Sequence, residues 1–161
     1  MVRKVIMATK YWLIKSEPGV FSIDDLAKTK NKTTHWDGVR NYQARNYIRD
    51  EMKIGDKVIF YHSNAEPPTA VGICEIAKEG YPDFTAFDPS NVHYDPKSKK
   101  ENPAWFMFDV KFVSKFSEPV TLDAIKANKK LQKMKLIQRG SRLSVMPVTK
   151  DEFEEIVKMG K

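Results

Sequence analysis

Residues 36–46 read WDGVRNYQARN, placing Trp36 and Tyr42 among two arginines, an aspartate, two asparagines and a glutamine. Side chains of this kind suit the recognition of a planar, polar ligand. An aromatic face stacks on a nucleobase for about 1–3 kcal/mol, and amide or carboxylate groups distinguish donors from acceptors on a base edge. Gly38 has no Cβ, so the backbone there can approach a flat ring closely. Trp36, next to Asp37 and Gly38, is expected in a pocket. Arg40 and Arg45 suit either acidic neighbours or phosphates. The same mixture recurs elsewhere: Trp12 stands near Ser16 and Glu17, and Tyr61 precedes His62 and Ser63. For Trp12, core packing and base contact both fit.

Other chemistries find less support. His35, His62 and His93 are far apart, and neither an HExxH nor an H-x₃₋₅-H spacing occurs, so no metal site is expected. Neither GxGxxG nor a P-loop is present, and no cofactor is implied. Cys74, the only cysteine, sits among Val71, Gly72, Ile73 and Ile76, where a buried inert thiol is expected. His62 and Ser63 are adjacent, but neighbours in sequence do not make a nucleophile–base pair.

The 161 residues fit one domain with a substantial core. No apolar run is long enough for a membrane span, and a single cysteine fits a reducing, intracellular setting. That setting is the cytoplasm in a bacterium, with the nucleus open to it in a eukaryote. The net charge of +7 is concentrated between residues 124 and 150. This stretch holds Lys126, Lys129, Lys130, Lys133, Lys135, Arg139, Arg142 and Lys150 and no acidic residue, whereas the rest of the chain carries 20 basic and 21 acidic residues. Such a segment is either a phosphate-binding footprint or a solvated lysine-rich face.

Several elements must position these groups. Residues 10–15 form a short β-prone run stopped by the turn-forming SEPG, and Ser22 begins a capping-box pattern for a short helix. KTKNKTT reads as an exposed loop. Residues 41–52 have helical apolar spacing at Ala44, Tyr47, Ile48 and Met52. Strands are expected at KVIFYH, TAVGICEIA and WFMFDVKFVSKF, with a long irregular stretch at 81–103. LDAIKAN follows a capping Thr121, RLSVMPV returns to extended structure, and Thr149 opens a second capping box before a final amphipathic helix. Strands with small helices between them predict an α+β, barrel-like domain.

Read together and in order, YWLIKSEP (11–18), WDGVRNYQARN (36–46), FYHSN (60–64), YPD (81–83), YDPKS (94–98) and RLSVMPV (142–148) resemble the EVE domain family. The resemblance implies a single domain over residues 11–161, with residues 1–10 as an N-terminal extension. It also implies a PUA-like fold, a β-barrel-like mixed sheet with short helices packed around it, related to YTH and ASCH domains. Members are associated with reading modified bases. Carried over, the base pocket comprises Trp12, Lys15, Ser16 and Glu17, then Trp36, Gly38, Val39, Arg40, Asn41 and Gln43. Tyr61, His62 and Ser63 join it, with Leu143, Ser144 and Val145 from the late strand.

The function this implies is a non-catalytic module that holds an extruded base, foremost a modified cytosine in DNA. Arg45 and the basic residues Lys126, Lys129, Lys130, Lys133, Lys135, Arg139 and Arg142 would contact flanking phosphates. Nucleic acid is the expected partner, DNA ahead of RNA, with a monomeric protein and no metal or membrane. Three alternatives stand beside it: a reader of modified tRNA or N6-methyladenine, an enzyme on a nucleotide or small heterocycle using His62 with Glu17 as acid and base, and an interaction adaptor whose pocket is vestigial.

Overall fold

The computed structural model describes residues 9–140 and 142–161. Six strands make one mixed sheet: β1 (Tyr11–Ser16), β2 (Thr33–Trp36), β3 (Lys57–His62), β4 (Thr69–Pro82), β5 (Phe106–Thr121) and β6 (Val145–Val148). Their order is β2-β5-β4-β3-β1-β6, so the sheet is open, with β2 and β6 at its edges, rather than a closed barrel. Pairing is antiparallel except between β1 and β3, which run parallel from Tyr11 opposite Lys57 to Ser16 opposite His62. The expected extension, residues 1–10, lies mostly outside the described residues. Lys10 itself joins the sheet, its carbonyl accepting from the Lys57 N–H.

Among the described residues four α-helices pack around the sheet: α1 (Ile23–Lys28), α2 (Tyr42–Asp50), α3 (Leu122–Ala127) and α4 (Lys150–Met159). Their starts follow from local chemistry. In α1 the Ser22 hydroxyl accepts from the Asp25 N–H while the Asp25 carboxylate accepts from the Ser22 N–H, and Thr149 and Glu152 repeat this box at α4. Asn41 caps α2 by accepting the Ala44 N–H at 3.0 Å, and its Ala44 and Ile48 are buried.

Strand β1 is flanked by β3 and β6, and Trp12, Leu13 and Ile14 are buried in succession because both faces of the sheet are covered there. Strand β2 corrects the expectation of a loop up to Thr34: Thr33–Trp36 pairs with Lys111–Phe108 of β5. The irregular stretch expected at 81–103 starts later, because Tyr81 and Pro82 continue β4; the 83–104 segment is largely irregular, with a short 3₁₀ turn at Phe84–Phe87. It is tied down by Trp105, whose indole N–H donates to Asp95 at 2.7 Å.

Candidate nucleic-acid interface

Where β1 ends, its chain meets β2 and the 83–104 segment around an open cavity of about 600 Å³. Lys15, Ser16 and Glu17 form one wall with Val20 and Phe21 of the following turn. Thr34, His35 and Trp36 of β2 form another, and Asp37, Gly38, Val39, His93 and Ser144 complete the lining. The Ser16 hydroxyl donates to the Phe21 carbonyl at 2.5 Å and holds the turn. The Lys15 N–H donates to the Ser144 carbonyl, which ties the two ends of the chain together at the cavity.

Trp36 is half-buried and braced edge-on by Phe21 and Phe60, at centroid distances of 6.0 and 5.6 Å. Beyond it the chain turns sharply at Gly38, whose φ of +79° suits glycine. The His93 imidazole fills the space where a Cβ would stand, with Nε2 2.5 Å from that point. His93 Nδ1 lies 3.4 Å from the Asp37 carboxylate. The wall is fixed by Asp83, which is fully buried. One of its oxygens accepts from the Gly38 N–H (2.9 Å) and from Arg40 (3.0 Å), and the other from the Thr85 N–H and hydroxyl. Burial pushes the Asp83 carboxyl up, but the Thr85, Gly38 and Arg40 bonds outweigh it and hold it below its usual range.

Seven of the expected pocket residues therefore share this cavity: Lys15, Ser16, Glu17, Trp36, Gly38, Val39 and Ser144. The structure places the others elsewhere. Trp12 is only 1% exposed, and its indole N–H donates to the buried Asp56 at 2.9 Å, so it offers no face to a ligand. Tyr61 and Val145 are buried, and burial pushes the Tyr61 phenol up to about 12. Ser63 donates its N–H to the Ser16 carbonyl and so supports the wall from behind. His62 Nε2 accepts the Ile23 N–H at 3.2 Å, and burial lowers its pKa. Glu17 and His62, the acid–base pair of the enzymatic alternative, thus do not line the cavity together.

Asn41, Gln43 and Leu143 instead line a second concavity of about 370 Å³ with Lys135, Gln138, Arg139, Gly140 and Arg142. It borders the first through the chain at Val39–Asn41 and at Leu143–Ser144. The basic segment is thereby divided. Lys135, Arg139 and Arg142 flank the cavity, whereas Lys130 pairs with Glu155 of α4 at 3.7 Å beside Asp151 and Glu154. Lys126, Lys129 and Lys133 are exposed near the α3 end of the segment. Arg45 donates to the Ala104 carbonyl and lies over Tyr42, which stacks on Trp105 at 4.8 Å.

Residue types and spacing do not point to His93, Asp83, Phe21, His35 or Val20 as parts of the site. The YPD motif at 81–83 is the one signal leading toward Asp83. Burial lowers the Lys15 pKa, and among the described residues no carboxylate stands within ion-pairing distance of its ammonium. Among the described residues no group of three or more His, Cys, Asp or Glu is placed to hold a metal, and no helix is long and apolar enough to cross a membrane.

The open mixed sheet with short helices packed around it is the fold of the EVE domain, and residues 10–159 match that family: the chain belongs to it. Among its relatives is thymocyte nuclear protein 1 of chicken, 46% identical over 166 residues, covering 92% of this chain and 68% of the relative. Two solved structures are similar throughout. A hypothetical protein from Leishmania major has a TM-score of 0.88 at 50% identity, covering 95% of each chain. The human THYN1 protein, solved in complex with DNA containing 5-methylcytosine, has a TM-score of 0.89 at 43% identity and covers 95% of this chain and 98% of that one.

Proposed function

We propose that this protein is a non-catalytic reader of modified DNA that takes an extruded, modified cytosine into the cavity beside Trp36. The observation that carries this reading is the junction of that cavity with the basic concavity of Lys135, Arg139 and Arg142. It is supported by likeness to the human protein solved with 5-methylcytosine DNA.

Trp36 supplies a stacking surface held rigid by Phe21 and Phe60. Lys15 donates to a carbonyl or ring nitrogen of the base, and Asp37 accepts from its exocyclic amine. Phe21 and Val39 offer apolar lining to a 5-methyl group. Extrusion costs a few kcal/mol. One stack of about 2 kcal/mol and two edge hydrogen bonds of about 1 kcal/mol each offset it. The methyl group adds roughly 0.8 kcal/mol on burial, about fourfold in affinity. Arg139 and Arg142 hold phosphates, which position the strand without reading it. The protein acts as an intracellular monomer without metal or cofactor.

The test is a titration at fixed salt against matched DNA and RNA oligonucleotides. These carry cytosine, 5-methylcytosine, 5-hydroxymethylcytosine, adenine or N6-methyladenine at one position. A fourfold to tenfold preference for a modified cytosine in DNA, lost in Trp36→Ala while weak salt-sensitive binding persists, is the expected result. Equal loss by Trp36→Ala on modified and plain DNA overturns the pocket assignment. A preference for modified RNA shifts the polymer.

A further inference from the structure

Apolar side chains exposed to water are unevenly distributed over this molecule. Of seven large ones among the described residues, Val20 lines the cavity, Val92 and Tyr94 flank the cavity residue His93 in sequence, and Phe84 packs on the cavity residue His35 at 5.3 Å. Scattered exposed hydrophobics need no explanation, but four that line one site or adjoin its residues do.

The two valines stand out further. Val20 is 78% exposed and Val92 92%. Neither sits on a floppy tip. The Val20 and Phe21 N–H groups both donate to the Glu17 carbonyl, closing a turn through Pro18 and Gly19. Val92 lies inside a turn closed by the Tyr94 N–H to the Asn91 carbonyl, and the Asn91 side chain accepts the His93 N–H at 2.8 Å. Turn positions normally carry Gly, Asn, Asp or Ser. Valine instead presents a stiff, branched hydrocarbon with one preferred rotamer, held outward at about 2 kcal/mol of unrealised burial.

We propose that Val20 and Val92 are wedges that enter the base stack of a DNA duplex and fill the space left by the nucleotide drawn into the cavity. This inference rests on the modified-base reading above and adds that the target is double-stranded. Apolar wedges lower the cost of unstacking by replacing base–base contact with side-chain contact. A single strand, which has no partner strand to hold open, gains nothing from them. The basic concavity next to the cavity supplies the charge that draws the duplex backbone onto this face.

The experiment compares the wild-type chain with the Val92→Ser variant on both probes by fluorescence anisotropy. The Val20→Ser, Val92→Ser double variant is compared on the duplex alone, because Val20 also lines the cavity. The probes are one 5-methylcytosine duplex and the corresponding single strand, at the same salt. Both substitutions are at exposed positions, and an unchanged Tm controls for folding. A loss of tenfold or more on the duplex with less than twofold on the single strand is expected. An abasic site opposite the 5-methylcytosine, which lowers the cost of extrusion, should restore at least threefold of the variant's loss. Equal losses on both probes, or no loss on the duplex, overturn the wedge while leaving the pocket reading intact. A wild-type chain with no preference for 5-methylcytosine over cytosine on either probe overturns the pocket reading, and the wedge with it.

Discussion

Replacing Asp83 with alanine removes one buried carboxylate and strands every donor it serves: the Gly38 N–H, the Arg40 guanidinium, and the Thr85 N–H and hydroxyl. Breaking one side of a buried ion pair costs about 3–5 kcal/mol. Arg40 is 24% exposed and recovers some water, so the lower end applies, about 3 kcal/mol. For a chain of this size that lowers Tm by about 6–12 °C. The sign with pH follows from the lowered pKa of Asp83. A carboxylate depressed on folding contributes stability above its unfolded pKa and loses it as pH falls through the folded value. The gap between wild type and Asp83→Ala should therefore be constant from neutral pH to about pH 4 and narrow below that. Urea melts at a series of pH values measure both. A loss under about 1 kcal/mol at pH 7, or a gap that does not narrow in acid, would refute the claim that this carboxylate fixes the Gly38 wall.

Gly38→Ala places a methyl group on the His93 ring in a positive-φ conformation. It should cost about 1–2 kcal/mol from the backbone alone and weaken binding of modified DNA. His93→Gly in the same chain should recover part of the binding loss, as read by titration of the double variant. Trp12→Phe removes the hydrogen bond to Asp56 and should lower stability by about 1–2 kcal/mol while leaving the ratio of modified to plain affinity unchanged. A changed ratio would return Trp12 to the pocket. Neutralising Lys135, Arg139 and Arg142 should flatten the salt dependence of binding by about 0.7–0.9 for each phosphate that is no longer neutralised. The same change at Lys126, Lys129, Lys130 and Lys133 should leave the slope nearly as it was.

Local chemistry is legible in the residues themselves. Ser22, Thr149 and Thr121 cap helices where their neighbours in sequence predict it, because a cap is decided within four residues. Strand β2 is not legible: the part of KTKNKTT that enters it is polar, and only pairing with β5 makes it extended. Trp12 is ambiguous in sequence since an indole serves a core as well as a pocket. Its buried partner Asp56 lies 44 positions away in the chain. His93 and Asp83 are hidden for the same reason. Their roles exist only once the 83–104 segment folds back over Gly38, a contact that no local pattern encodes. The basic segment shows the limit of counting charges, since only the fold divides it between the cavity and α4.

Strands β1 and β6 lie side by side although most of the chain separates them, and the Lys15–Ser144 bond closes that gap at the cavity. Contacts so remote in sequence carry a large loop-closure penalty and slow the search for the native topology. The Ser144 side of the cavity therefore takes shape only when the last strand has docked. A nascent polypeptide still missing residues 145–148 lacks the pairing with β1 that holds this side in place. A single proteolytic cut before β6 that lets this strand leave would loosen that wall while sparing most of the sheet. Occupancy works in the opposite direction, since a ligand that binds only the completed fold raises the stability of the whole sheet by mass action.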